Sequence, residues 1–201
     1  MSKVQVDTID TRSGTSTMQI GSTNTSTINI GVSGDTVNIP SGVTIANAGT
    51  ATGFGSNKPI LSVGLSSTQT MSDNTWTTIV FQTEILDADG IYNNSTGIAT
   101  PTAGTYLMIF AANVGGSAAS SLANAGVKFD IGGVTTAEQT CNAASNFQQY
   151  VNLVTSYIHT FDGSTTVKCQ AYNSISSGTP SVYGGGSPRF GATFQMVKLI
   201  S

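Results

Sequence analysis

The amino-acid sequence points to an all-β chain in two parts: an antiparallel sandwich or barrel, preceded by a slender segment of much shorter strands. Three observations carry this reading. Apolar runs of strand length recur from residue 60 to residue 200, and clusters of Gly, Asn, Asp and Ser separate them. No stretch shows the apolar period of an amphipathic helix. The first 48 residues instead hold brief apolar/polar alternations that stop at Gly, Pro or Ala.

Taken in chain order, the phrases MQIG (18–21), INIG (28–31), VNIP (37–40) and VTIA (43–46) each have strand periodicity, cut too short for an ordinary sheet. A single chain of this kind removes too little apolar surface from water to offset an ordering entropy of about 1–2 kcal/mol per residue. Three copies wound about one axis give Ile20, Ile30, Ile39 and Ile45 their symmetry mates and leave Thr and Asn hydrated. The expectation for residues 1–48 is therefore an attachment segment and an intertwined trimeric β-stalk. A disordered Ser/Thr-rich linker is the alternative, but a linker has no need of regularly recurring β-branched pairs. The stretch ANAGTATGFGSN (46–57) holds small residues without a period. It places a hinge at 49–57 and the head at 58–201.

In the head the expected strands are ILSVGL (60–65), WTTIVF (76–81), TYLMIFAANV (105–114), GVKFDIGG (126–133), YVNLVTSYIHTF (150–161), TTVKCQAYN (165–173) and FGATFQMVKLI (190–200). DADG, NNSTG, DGST and GGGSP supply the turns. Tyr106, Met108 and Phe110 alternate on one strand and so share a face. With Trp76, Phe81 and Phe194 they are the expected head core.

Composition excludes several classes. Of 201 residues only 8% are charged, the net charge is −3, and the seven Lys and Arg are scattered, so no basic patch exists for nucleic acid or an anionic membrane. No apolar stretch approaches the ~18–20 residues of a membrane span. MSKVQVDTID has no basic region followed by an apolar run, which gives the expectation of synthesis and assembly in a cytoplasm. Cys141 and Cys169, the two cysteines, are expected as free thiols, and no Cys/His cluster has zinc spacing.

The stretch FQTEILDADGIYNNSTGIATPTAGTYLMIF (81–110) resembles the signature of complement C1q-like globular domains, members of the tumour-necrosis-factor-like jelly-roll group. Phe81, Asp87 and Tyr92 fall at the spacing of that signature, and Gly104, Tyr106 and Phe110 match its closing part. Ile98 stands where the signature has Phe, one residue early, and Met108 replaces a further Phe. RFGATFQMVKLIS (189–201) is similar to the last strand of such domains. The resemblance implies a jelly-roll sandwich over 58–201 that forms a compact homotrimer.

TINIGVSGDTVNIPSGVTIANAGTATGFG (27–55) resembles the shaft that precedes receptor-binding heads in bacteriophage fibre proteins. A collagen stalk, the companion of animal C1q heads, is missing from this sequence. Together the two resemblances imply a phage virion protein with one threefold axis through shaft and head, fastened to other virion proteins by its N-terminal segment, with a head that binds a host-surface glycan or protein. Two alternatives are a capsid or tail decoration whose head only trimerises and caps the stalk, and a bacterial C1q-like lectin.

Enzyme chemistry finds little purchase. DADG (87–90) resembles the start of a calcium loop, which makes Asp87 and Asp89 weak metal candidates, but the alternating carboxylates and the closing Glu do not follow. His159 is the single histidine, with Asp162 three residues on and hence facing the other way on a strand, and no G-x-S-x-G elbow exists. YGGGSPRF (183–190) lacks the Lys-Ser/Thr of a phosphate loop. Carboxylate pairs for glycan hydrolysis would have to come from ten acids, of which Asp7, Asp10 and Asp35 belong to the stalk. No catalysis and no cofactor are expected. Binding is expected on the polar loops 115–126 and 173–188, with Tyr172, Tyr183 and Arg189 as the side chains suited to stacking or hydrogen bonding.

Overall fold

A computed structural model describes residues 20, 24, 26–30, 33–43, 58–143, 148–185 and 191–200. The chain divides into two compact units, residues 1–51 and 52–201, and the described residues contain no helix.

In the first unit the described residues turn at Ser33–Gly34 and Ser41–Gly42 and form no strand. Gly34 and Gly42 have φ of 96° and 88°, a backbone region open to glycine and strained for other residues. The Val43 amide donates to the Pro40 carbonyl at 3.2 Å across the second turn. Ile20, Ile28, Ile30, Val37, Ile39 and Val43 are all exposed, Ile30 by 69%. With no strand ladder among the described residues to bury them against, these side chains are wet in a single copy. Ile45 and the expected hinge lie outside the described residues.

The second unit is built from β1 (Lys58–Gly64), β2 (Gln69–Thr70), β3 (Thr77–Thr78), β4 (Thr83–Asp87), β5 (Tyr92–Asn93), β6 (Ile98–Ala99), β7 (Gly104–Gly116), β8 (Leu122–Ile131), β9 (Val134–Asn142), β10 (Tyr150–Phe161), β11 (Val167–Ile175), β12 (Pro180–Val182) and β13 (Ala192–Ile200). All pairings are antiparallel. In the first sheet β7 pairs with β10 on one side and with β13 and β12 on the other; β13 continues to β1 and β4, and β12 to β2. The second sheet runs β5-β6-β11-β8-β9, with β3 also on β11. The β7–β10 ladder runs without a bulge from Gly104↔Phe161 to Gly115↔Tyr150.

Buried and less buried residues alternate along β7 and β11, so each sheet turns one face to a shared core. Four phenylalanines close a cycle in that core. Ring centroids lie 6.1 Å apart for Phe81–Phe110, 6.3 Å for Phe110–Phe129, 5.9 Å for Phe129–Phe194 and 6.3 Å for Phe194–Phe81. Tyr106 and Met108 are fully buried beside them. Trp76 departs from the expectation: it is half-buried and stands outside the core cluster. The expected loops are also shorter. Residues 117–121 alone separate β7 from β8, and β12 occupies part of 173–188.

WTTIVF ladders only at Thr77–Thr78, and beyond Ile79 side chains take over its backbone amides. The Ile79 amide reaches the Cys169 carbonyl at 2.9 Å, but Val80 donates to Gln69 Oε1 at 2.9 Å and Phe81 to the Tyr92 hydroxyl at 2.8 Å. That hydroxyl donates in turn to the Phe81 carbonyl at 3.3 Å. Burial pushes the Tyr92 phenol well above its ordinary pKa. Tyr92→Phe strands the Phe81 amide and carbonyl inside the protein, a loss of about 1–3 kcal/mol; urea denaturation will show it as a lower midpoint at unchanged slope.

Candidate functional site

The outer face of the second sheet carries the most distinctive cluster of side chains. On β11 the buried Cys169, Ala171 and Asn173 alternate with the half-buried Lys168, Gln170 and Tyr172, which therefore face away from the core. Gly126 of β8 sits opposite Tyr172 in the ladder, and Lys128 opposite Gln170. Across this face lies Trp76, from the segment just before β3, with its ring centroid 5.4 Å from that of Tyr172 and the planes inclined by 41°. The Lys128 ammonium lies 4.4 Å from the indole centroid and donates to Thr135 Oγ1 at 2.8 Å, a cation over an electron-rich ring. The Tyr172 hydroxyl donates to Asn74 Oδ1 at 3.0 Å.

Of the binding residues expected from sequence, Tyr172 belongs to this cluster. Tyr183 follows β12 of the other sheet, is 47% exposed and packs edge-on against Tyr150 at 6.0 Å. No ring contact joins Tyr172 to Tyr183 among the described residues, and Arg189 lies outside them. Trp76 and Lys128 were not anticipated as site residues.

The outer face of the first sheet is different in kind. Ile158 of β10 faces Leu107 of β7, which faces Val197 of β13, which faces Pro59 of β1. One apolar row thus crosses four strands, with Ile158 57% exposed. Val154, on the same face of β10, is 54% exposed.

The turn candidates have structural employment. Both carboxylate oxygens of Asp87 accept backbone amides, from Ile91 at 2.9 Å and Tyr92 at 3.0 Å, and Asp89 pairs with Lys58 at 3.6 Å. His159 stacks on Tyr157 with centroids 6.2 Å apart and meets Phe161 edge-on at 4.7 Å. Cys141 and Cys169 are free thiols, and complete burial pushes the Cys169 thiol well above its ordinary pKa. Among the described residues no group of three or more His, Cys, Asp or Glu is placed to hold a metal.

No protein-family model and no curated protein matches the chain. Solved structures do. The tumour-necrosis-factor protein Eiger of S. frugiperda matches with a TM-score of 0.53 at 10% identity, over 72% of this chain and 94% of that one. Murine APRIL gives 0.49 at 13% identity over 70% and 98%, and the globular domain of zebrafish complement 1qA protein gives 0.46 at 20% identity over 69% and 95%. The fold is the tumour-necrosis-factor-like jelly roll expected from the sequence.

Asp162 provides a pH marker for the β10–β11 turn. Backbone amides of Ser164 at 2.8 Å and Thr165 at 2.7 Å hold its carboxyl well below the usual carboxylate range. A depressed folded-state pKa adds stability above the unfolded value of about 4 and loses it as pH falls further. Thermal melts from pH 6 to pH 2 will show a shallower acid loss in Asp162→Asn than in the natural protein.

Proposed function

We propose that this chain is a non-catalytic, homotrimeric fibre or spike subunit of a bacteriophage virion, and that its head binds a ligand on the host surface. The observation that carries the reading is uncovered apolar surface on both units of a single copy. In the first unit Ile20, Ile30 and Ile39 are exposed; in the second, the Ile158–Leu107–Val197–Pro59 row and Val154 lie on a sheet face turned away from the core. Contiguous exposed apolar surface in a soluble protein marks a face that another molecule covers. Copies of the same chain cover both with one symmetry operation, since a closed ring repeats every contact.

The jelly-roll head supports this arrangement, because its first sheet carries an apolar row on its outer face while a buried core is already present within one chain. The likeness of residues 27–55 to phage fibre shafts supports the virion context, with the N-terminal segment as the attachment to other virion proteins. A low share of charged residues, 8%, supports recognition by short-range contacts over electrostatic capture.

Light scattering on the full chain is expected to give the mass of three copies, and a stable monomer rejects the architecture. Ile158→Lys places a charge without a partner in the covered face. It will raise the trimer dissociation constant by at least about tenfold, since breaking into a buried contact this way costs several kcal/mol. Recovery of the chain in purified virions tests the context, and adsorption of labelled protein to bacterial cells tests adhesion.

A further inference from the structure

We propose that Trp76 and Tyr172, on the outer face of the second sheet, form a platform for the ring of a neutral or N-acetylated hexose. The assignment rests on the adhesion reading and gives it a ligand class and a place.

The core does not need Trp76. The aromatic cycle of Phe81, Phe110, Phe129 and Phe194 closes without it, and the indole is left half-buried on the outer face with the Lys128 ammonium over it. The strand beneath is shaped to receive it. Gly126 interrupts the ten-residue β8, and a Cβ there would lie 2.8 Å from Cη2 of the Trp76 indole. Glycine inside a strand weakens it and marks a close approach; here what approaches is the ring. The indole and phenol, inclined by 41° at 5.4 Å, make one bent aromatic surface.

The surroundings select the ligand. Asn124 faces Asn142 across the β8–β9 ladder, one step along the same face from Gly126, and Gln170 adjoins Tyr172 on β11. These amides are on the same face of the sheet as the Gly126–Tyr172 pair and offer both donors and acceptors to hydroxyl groups. Of the charges nearby, Lys128 is engaged by Thr135 and the indole, and Lys168 by Asp130 at 3.4 Å. An aromatic face with neutral amides at its rim suits the polarised C–H face and peripheral hydroxyls of an uncharged sugar.

Trp76 is the one tryptophan of the chain, so its emission reports this place alone. The full-length protein is titrated with galactose, mannose, N-acetylglucosamine and chitotriose, each at low and high salt. A saturable change in Trp76 emission with at least one sugar, indifferent to salt, is expected. Tyr172→Ala should weaken it about tenfold, the scale of one lost aromatic contact. Gly126→Ala keeps both rings but displaces the indole, and should weaken binding likewise; melting curves establish that each variant is folded. No saturable change with any of the four sugars overturns the platform. So does a change that survives both substitutions, and loss of binding in high salt overturns the neutral class. Labelled full-length protein is also applied to a panel of bacterial strains. Cell binding undiminished in Tyr172→Ala overturns the platform and leaves adhesion standing, whereas no cell binding by the natural protein overturns adhesion while the sugar titration still decides the platform.

Discussion

The head depends on the four-phenylalanine cycle that ties its two sheets together. Phe110 and Phe194 come from neighbouring strands of the first sheet and Phe129 from the second, so ladders hold all three in place. Phe81 does not sit in a ladder. Its backbone is held by the Tyr92 hydroxyl, and the Tyr92 amide is held by the Asp87 carboxylate. A short polar relay therefore positions the fourth ring, and removing any member loosens the contact between the sheets. Such a relay is stable only when every buried partner is satisfied. In this light Asp87 in the DADG turn is a structural acceptor with its two oxygens already committed.

How much of this was legible follows from where the neighbours are. β7 and β10 could be read closely, β10 to the residue, because a central strand and its long partner need sustained alternation to bury one face. β9, VTTAEQTCN, could not: it lies at a sheet edge with Val134 66% exposed, and an edge strand has little apolar pattern to show. WTTIVF misled in the opposite direction. Its composition is that of a strand, but beyond Ile79 its partners are the side chains of Gln69 and Tyr92, which no periodicity reveals. In the first unit the spacing of Ile20, Ile30 and Ile39 is legible, and all three are exposed in a single copy.

The candidate site was legible in part. Tyr172 stands out as an aromatic among polar residues, but Tyr183, expected beside it, packs on Tyr150 of the other sheet instead. Trp76 was assigned to the core on residue type, and parity argued otherwise. Ile79 and Phe81 are buried, and Trp76 lies five residues before Phe81, an odd step that turns it to the opposite face. Gly126 is the second signal once β8 is seen to start at Leu122, not at the glycine, since a glycine in mid-strand asks what occupies the space above it. Both signals are local, yet they refer to the same place only once β8 and β11 are paired.

Oligomerisation and adhesion, if built as proposed, are not independent properties. A platform of two half-buried rings with amides at its rim has few strong contacts to offer, and 8% charged residues give no long-range field to raise the rate of encounter. One copy is then a weak binder by construction. Three copies presented together convert the second and third encounters into intramolecular ones, and avidity exceeds the single-site affinity by about 10²–10⁴. The apolar row through Ile158 and Leu107 thus acts on adhesion from the other sheet of the sandwich, without touching the ligand. Loss of the trimer lowers cell binding while the sugar affinity of each Trp76 platform stays the same, and that separation distinguishes a multivalent head from a single strong site.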